Sequence, residues 1–219
     1  MKIDIVQTKG NFTNEYEIGY DGSFTYTVKQ SLLNRRMTIK MTNLEGEALY
    51  SLKHKFCGIS EFIPLGIYLP SGASYSVSVI KGNEIIGTFC HTKHPSFASE
   101  HTAIYYLTGE CFYIHRVIYK HNIYLCVFNS KNTQVAIIKR HYVVKDNCDT
   151  YWLYLLDEYK EYSEFLTLFT VFYDVWFHNN SLGSASWGYS QESYHRLGGN
   201  FSETVYDPQW VKENFNEEW

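Results

Sequence analysis

The chain has 219 residues, of which 18% are aromatic and 19% are charged. That composition excludes a disordered chain, which would be poor in aromatic residues, and a long coiled coil, which would be dominated by Ala, Glu, Lys and Leu. The net charge of −4 is unevenly spread, because residues 1–150 carry 16 basic and 12 acidic side chains whereas residues 151–219 carry 3 and 11. The length predicts one domain with an acidic C-terminal region.

The predicted compartment follows from what the sequence lacks. No segment approaches the roughly 20 consecutive apolar residues that span a bilayer, and the first ten residues lack the apolar core of a signal peptide. The five cysteines are odd in number and contain no CxxC pair, which is unusual for a disulfide scaffold. We therefore expect a cytoplasmic protein without a transmembrane segment, with a peripheral position at the membrane as the alternative.

From about Ile3 to Tyr154 the chain alternates apolar and polar residues in short runs. The run from Tyr75 to Val79 has the period of two that is typical of a half-buried strand, and so does the run from Phe24 to Val28. Turn signals such as Asp21-Gly22 recur about every ten residues. This spacing predicts a mainly β fold, either a sandwich or a barrel.

An internal repeat lies inside this region. Residues 39–53 align without gaps on residues 125–139, an offset of 86 residues, and each copy is a strand, a turn and a second strand. Asn43 and Asn129 open the two turns. Gly46 aligns with Asn132, and both residue types tolerate the positive φ of a tight turn. The repeat predicts two related halves of one sheet.

Residues 163–178 have a different pattern. They contain no Gly, Pro or turn signal, which favours a helix over a strand, with Ser163 as the N-cap. Apolar side chains surround nearly the whole circumference of this helix, so we expect protein to enclose it. Asp174 interrupts the apolar sequence and must be paired if it is buried, which predicts a structural role in fixing the helix register.

This arrangement resembles the Tubby C-terminal-like superfamily, in particular its LURP-one-related branch with bacterial members. The motifs that carry the resemblance are Phe24-x-Tyr-x-Val28-Lys, the segment from Met41 to Gly46, and the segment from Asp149 to Leu156 that leads into the helix. The resemblance covers roughly residues 10–178. It implies a closed antiparallel barrel of about twelve strands over residues 1–178 that encloses the hydrophobic helix 163–178. Residues 179–219 form an acidic, aromatic-rich extension that the resemblance does not cover.

The resemblance also directs attention to anions, because eukaryotic Tubby domains bind phosphoinositides. Basic residues cluster on both copies of the repeat and bind phosphate by charge and, for Arg, by bidentate geometry. Solvated strand faces are the alternative interpretation of these residues. The candidates for contact with an anion or a lipid headgroup are Arg35, Arg36, Lys40, Lys53, Lys55, Lys139 and Arg140.

The extension supplies a second set of candidates, since aromatic residues at such density usually dock onto another surface. A short helix is predicted from Pro208 to Phe215, with Asp207 as its cap. The surface on which it docks is the protein's own barrel or a partner. The candidates for partner contact are Trp187, Trp210, Phe215 and Trp219.

Catalytic and metal-binding patterns are missing from the sequence. It contains no GxSxG, P-loop or GxGxxG motif, and the group of Cys90, His91 and His94 lacks a second pair at zinc-site spacing. The negative net charge argues against nucleic-acid binding. We therefore expect no cofactor, no metal and no enzymatic activity, but a binding or scaffold module for a protein partner or an anionic membrane component. The alternative is an inhibitor or immunity-type protein that binds a basic target; an enzyme is the third interpretation.

Overall fold

The computed structural model describes residues 1–10, 13–33, 36–54, 75–93, 101–107, 110–119, 122–141, 148–177 and 206–217. Twelve strands and two α-helices lie in these ranges. The strands are β1 Lys2–Lys9, β2 Glu15–Tyr20, β3 Ser23–Leu33, β4 Arg36–Thr42, β5 Ala48–His54, β6 Tyr75–Lys81, β7 Glu84–Lys93, β8 His101–Leu107, β9 Glu110–Tyr119, β10 Asn122–Phe128, β11 Gln134–Arg140 and β12 Thr150–Leu155. The helices are α1 Ser163–Phe177 and α2 Trp210–Phe215, and a 3-10 helix, Asp157–Tyr162, precedes α1.

Each strand pairs antiparallel with the next one along the chain. β1 also pairs with β12, with Ile3 opposite Leu153, so the order of hydrogen-bonded neighbours is β1-β12-β11-β10-β9-β8-β7-β6-β5-β4-β3-β2. The predicted fold class, mainly β and antiparallel with one long helix after the last strand, is confirmed.

The internal repeat is confirmed by the pairing register of its two hairpins. Thr42 pairs with Ala48, and their equivalents 86 residues later, Phe128 and Gln134, pair in the same way. A β-bulge follows Met41 in the first hairpin and Val127, its equivalent, in the second. The match extends to the preceding strand, because the β3–β4 and β9–β10 pairs have the same register at this offset.

The turns of the repeat also agree in detail. Gly46 and Asn132 both have positive φ, 83° and 60° respectively, as predicted. Asn43 and Asn129 each accept a hydrogen bond on Oδ1 from the backbone N–H four residues later, at 2.8 and 2.9 Å. Their carbonyls accept the N–H of Gly46 and Asn132, at 3.1 and 3.0 Å. The two sequences therefore build one turn geometry with different residues at its left-handed position.

Helix α1 packs on what we call the inner face of the sheet. All ten residues from Leu166 to Val175 are buried, so the middle of the helix has no exposed side. Its aromatic rings contact the strands on either side of β6: Phe165 contacts Tyr50 of β5, and Phe169 contacts Phe89 of β7. The predicted enclosure of the apolar helix by protein is consistent with this burial.

The start of α1 differs from the prediction. Ser163 has helical dihedral angles and its N–H donates to the carbonyl of Lys160, so it is not an N-cap. The reason is that the 3-10 helix runs directly into α1 and supplies the acceptor that a capping side chain would otherwise provide. At the other end α1 includes Phe177, and the predicted last residue, His178, lies outside the described residues.

Helix α2 packs on the opposite, outer face of the sheet. Trp210 and Val211 are buried there against Tyr124, Cys126 and Ile137. The side chain of Asp207 accepts the N–H of Gln209 at 2.8 Å, one residue before the helix begins. The predicted short C-terminal helix is thus present, but it begins at Trp210 instead of Pro208, and its N-cap residue is Gln209 instead of Asp207. Residues 206–217 dock on the protein's own strands.

Candidate functional site

Asp174 lies at the centre of a buried polar cluster near the C-terminal end of α1. Its side chain is 1% exposed. The hydroxyl of Tyr16 donates to Oδ2 at 2.5 Å, and the hydroxyl of Tyr151 donates to Oδ1 at 2.6 Å. Tyr16 belongs to β2 and Tyr151 to β12, so the carboxyl group ties α1 to two strands on either side of β1. The predicted pairing of a buried Asp174 is what the structure contains.

A second carboxyl group, that of Asp149, completes the cluster. Asp149 precedes β12 and is 1% exposed. Its Oδ1 accepts two hydrogen bonds from Arg140, from Nε at 3.0 Å and from Nη2 at 2.7 Å. Its backbone N–H donates to the side chain of Gln7 on β1 at 2.9 Å. We call Tyr16, Arg140, Asp149, Tyr151 and Asp174 the acid cluster.

Burial shifts the pKa of three of these groups, Asp174, Tyr16 and Tyr151. It raises the pKa of Asp174 to about 7, and the charge of Asp149 adds to the shift. Burial and the charge of Asp174 also raise the pKa of the Tyr16 and Tyr151 hydroxyls well above their usual value. Both tyrosines therefore stay protonated at neutral pH and remain hydrogen-bond donors.

The chemistry open to the acid cluster is limited by its own contacts. A general acid or base must reach a substrate within hydrogen-bonding distance, whereas Asp174 and Asp149 are sealed from solvent and are occupied by Tyr16, Tyr151 and Arg140. The arrangement is suited to fixing the position of α1 and to holding a proton.

The predicted basic candidates divide into two places. Lys40 and Lys53 lie exposed on the outer face of β4 and β5. Lys29 on β3, which the sequence analysis did not single out, pairs directly with Lys40. Lys53 pairs with Thr38, two residues from Lys40, so it lies about 7–8 Å diagonally across the strands. We call Lys29, Lys40 and Lys53 the lysine face.

Lys139 and Arg140 lie on β11, which is four strands from β3 in the strand order, and do not join the lysine face. Arg140 is 7% exposed and holds Asp149. Lys139 lies over the ring of Trp152, with Nζ 5.5 Å from the ring centroid, and partial burial lowers its pKa. The backbone of Arg36 begins β4; Arg35 and Lys55 lie outside the described residues.

The partner-contact candidates that the structure describes belong to α2. Trp210 is buried, and Phe215 is half-buried against Tyr154, with ring centroids 5.3 Å apart. Glu217 just beyond α2 accepts the Tyr154 hydroxyl at 2.6 Å and pairs with Lys2 at 3.1 Å. Trp187 and Trp219 lie outside the described residues.

Two interactions were missed by the sequence analysis. Lys29 could have been found from the β3–β4 register, because pairing Val28 with Met41 places Lys29 opposite Lys40. The Arg140–Asp149 pair gave no such signal, since no sequence pattern sets the distance between two side chains nine residues apart. Within the described residues there is also no group of three His, Cys, Asp or Glu side chains that could hold a metal ion. No helix in the described part of the chain is long and apolar enough to cross a membrane.

The chain was compared with protein-family models, with curated proteins and with solved structures, and no match was found in any of the three comparisons.

Proposed function

We propose that the protein is a non-catalytic binding module that contacts an anionic membrane component through its lysine face. The observation that carries this proposal is the direct pairing of Lys29 and Lys40 on adjacent strands, both exposed, with Lys53 on the next strand. Three ammonium groups on one outer face of three adjacent strands form a surface suited to phosphate oxygens.

The pairing of two lysines is informative because like charges directly opposite each other destabilise a sheet. Glu15 offsets part of this repulsion, since its carboxylate lies 3.7 Å from Nζ of Lys29. Among the residues that the structure describes, neither Lys40 nor Lys53 has an ion-pair partner. An anion bound between Lys40 and its neighbours would relieve the repulsion that the fold leaves in place.

The fold interpretation supports the same proposal. We infer that the pairing of β1 with β12 makes the sheet a closed barrel of twelve strands around α1, as the resemblance to the Tubby-like superfamily implies. Anionic headgroups are the ligands of eukaryotic Tubby domains, and that expectation passes to this chain only through the resemblance.

The non-catalytic part of the proposal is supported by the acid cluster. It holds the most strongly perturbed carboxyl group among the described residues, and perturbed groups are where catalysis is first sought. In this protein that carboxyl group is sealed and used to hold α1.

Co-sedimentation with vesicles at low salt tests the proposal. The wild-type protein is expected to sediment with vesicles that contain anionic lipids and to remain in the supernatant with neutral vesicles, and salt should release it. The triple variant Lys29→Ser, Lys40→Ser and Lys53→Ser should lose most of the binding.

A matched control changes the net charge equally at exposed lysines elsewhere, as Lys131→Ser, Lys160→Ser and Lys212→Ser. Binding should persist in this control. Equal losses in the two triple variants would show that only net charge matters, and no binding of the wild type to anionic vesicles would refute the proposal.

A further inference from the structure

The acid cluster contains more buried carboxyl groups than it can balance with positive charge. Asp149 and Asp174 are each 1% exposed, and Arg140, the cation of the cluster, bonds Asp149. Asp174 accepts its hydrogen bonds from the hydroxyls of Tyr16 and Tyr151, which are neutral. With both carboxyl groups ionised, the cluster would keep one negative charge without a counter-ion in the interior, which is strongly unfavourable.

Geometry indicates how the excess charge is removed. Oδ1 of Asp149 takes both hydrogen bonds from Arg140, whereas Oδ2 is buried and has no donor among the described residues. Asp149 and Tyr151 are buried at alternate positions just before and within β12, so Asp149 lies on the same face as the hydroxyl that bonds Asp174, and its charge contributes to the raised pKa of Asp174. One proton between the two carboxyl groups would satisfy the orphaned oxygen and make the cluster neutral.

We propose that Asp174 holds a proton at neutral pH and shares it, through a hydrogen bond, with the orphaned oxygen of Asp149, and that loss of this shared proton weakens the attachment of α1 to the strands. The inference is independent of the proposed binding function. The strength with which the acid cluster holds α1 against the strands then depends on pH.

The titratable and charged groups around the shared proton come from several elements. Tyr16 faces it from β2, Tyr151 from β12 and Arg140 from β11, while Asp149 and its neighbour Cys148 precede β12. The pKa of Asp174 is raised mainly by burial and then by Asp149. The native state therefore binds a proton that the unfolded state releases above its ordinary carboxyl pKa of 3.8.

Protonation of the acid cluster stabilises the native state, so the free energy of unfolding decreases as the pH rises. Stability from this group is fully present below pH 4 and is lost as the pH rises through the folded-state pKa of about 7. Between pH 5 and pH 8 the unfolding equilibrium constant should increase by about one to two orders of magnitude from this group. Ordinary paired carboxylates act in the opposite direction, because their stabilisation is lost in acid.

Urea unfolding between pH 5 and pH 8 tests the proposal with Asp174→Asn. The amide cannot titrate but can donate to Asp149 as the shared proton would. The increase in the unfolding equilibrium constant between pH 5 and pH 8 should therefore disappear. Glu164→Gln is the matched control, because it removes a carboxylate from the same helix at a half-buried position. The control should retain the wild-type pH dependence, and an unchanged dependence in Asp174→Asn would overturn the proposal.

Charge balance gives a second test. Asp149→Asn leaves Arg140 to be balanced by an ionised Asp174, so each single variant is neutral as a cluster. The double variant Asp149→Asn and Asp174→Asn leaves the guanidinium alone, so its loss of stability at pH 7 should greatly exceed the sum of the single effects. Additive losses would contradict the shared proton.

A direct observation covers the case in which a variant fails to fold. Carbon-13 NMR of wild-type protein labelled at the aspartate carboxyl carbons should show a carboxyl group that titrates near neutral pH. If all aspartates of the folded protein titrate below pH 5, the proposal is wrong.

Discussion

The hairpins β4–β5 and β10–β11 have the same backbone geometry but carry different residues on their outer faces. Their registers, bulges and turns agree residue by residue at an offset of 86. On the inner face both are apolar, and Ile39 of the first corresponds to Leu125 of the second. On the outer face Lys40 corresponds to the fully buried Cys126, and the half-buried Ser51 corresponds to the buried Ile137.

The difference shows what the repeat conserves. Side chains on the inner face must fill the space around α1, so both copies keep apolar residues there. The outer face is set by what covers it: residues 206–217 lie on β9–β12, whereas the lysine face is exposed. One copy of the repeated outer face is thus covered within the fold, and the other is exposed.

The largest expected effect tests whether the inner faces are equivalent. Ile39→Ala and Leu125→Ala should each destabilise the protein by about 3 kcal/mol, since each removes a buried side chain from the core around α1. Urea unfolding measures both losses. If one variant loses less than about 1 kcal/mol while the other loses the full amount, the two hairpins do not hold α1 in the same way.

The outer faces should lose different amounts of stability when equivalent residues are exchanged. Cys126→Lys places an ammonium group under α2, and the cost should be about 2–3 kcal/mol because residues 206–217 can detach before the full burial penalty is incurred. Lys40→Cys should change stability by less than about 0.5 kcal/mol, as expected for an exposed strand position.

Detachment of residues 206–217 can be measured separately from the loss of stability. Fluorescence of the buried Trp210 should shift towards that of exposed tryptophan in Cys126→Lys and not in Lys40→Cys. Equal costs for the two substitutions would mean that the outer faces do not differ in the way described.

The turns should differ less. Asn129 Oδ1 accepts two backbone N–H groups and its Nδ2 donates to Tyr159 at 2.8 Å. Asn43 Oδ1 accepts one backbone N–H, that of Glu47, and its Nδ2 donates to the exposed Glu47 carboxylate at 3.0 Å. Asn129→Ala should therefore cost about 2 kcal/mol and Asn43→Ala about 1 kcal/mol. Thermal unfolding of the two variants measures the difference, and a larger loss for Asn43→Ala would contradict this ranking.

The sequence was sufficient to predict the features that depend on local pattern. Alternation predicted the strands, the repeat predicted the positive φ at Gly46 and Asn132, and the uninterrupted apolar run predicted α1. It could not predict that Ser163 continues a 3-10 helix, because the acidic and aromatic residues before it have no strong helical period. For the candidate site, a buried and paired Asp174 was predictable from the cost of an unpaired charge.

The remaining site contacts depend on long-range pairing. Asp174 meets Tyr16 and Tyr151, and Asp149 meets Gln7, because strands from both ends of the chain, β1, β2 and β12, are neighbours. Arg140 resembled the exposed lysines in the sequence, and only the register of β11 and β12 shows that it is buried beside Asp149. Charge alone cannot distinguish a surface cation from an interior one.

The smallest predicted effect is a change in the free energy with which residues 206–217 pack on β9–β12. The hydrogen bond from Tyr154 lowers the pKa of Glu217, with Lys2 contributing less. A lowered pKa means that the stabilisation is present near neutral pH and is lost as the pH falls through the folded-state value. Because the Glu217 side chain is 42% exposed to solvent, the effect should be only a few tenths of a kcal/mol. Glu217→Gln should remove this acid-dependent step in Trp210 fluorescence, whereas Glu213→Gln on the exposed side of α2 should retain it. A step of unchanged size in Glu217→Gln would show that another group controls the attachment.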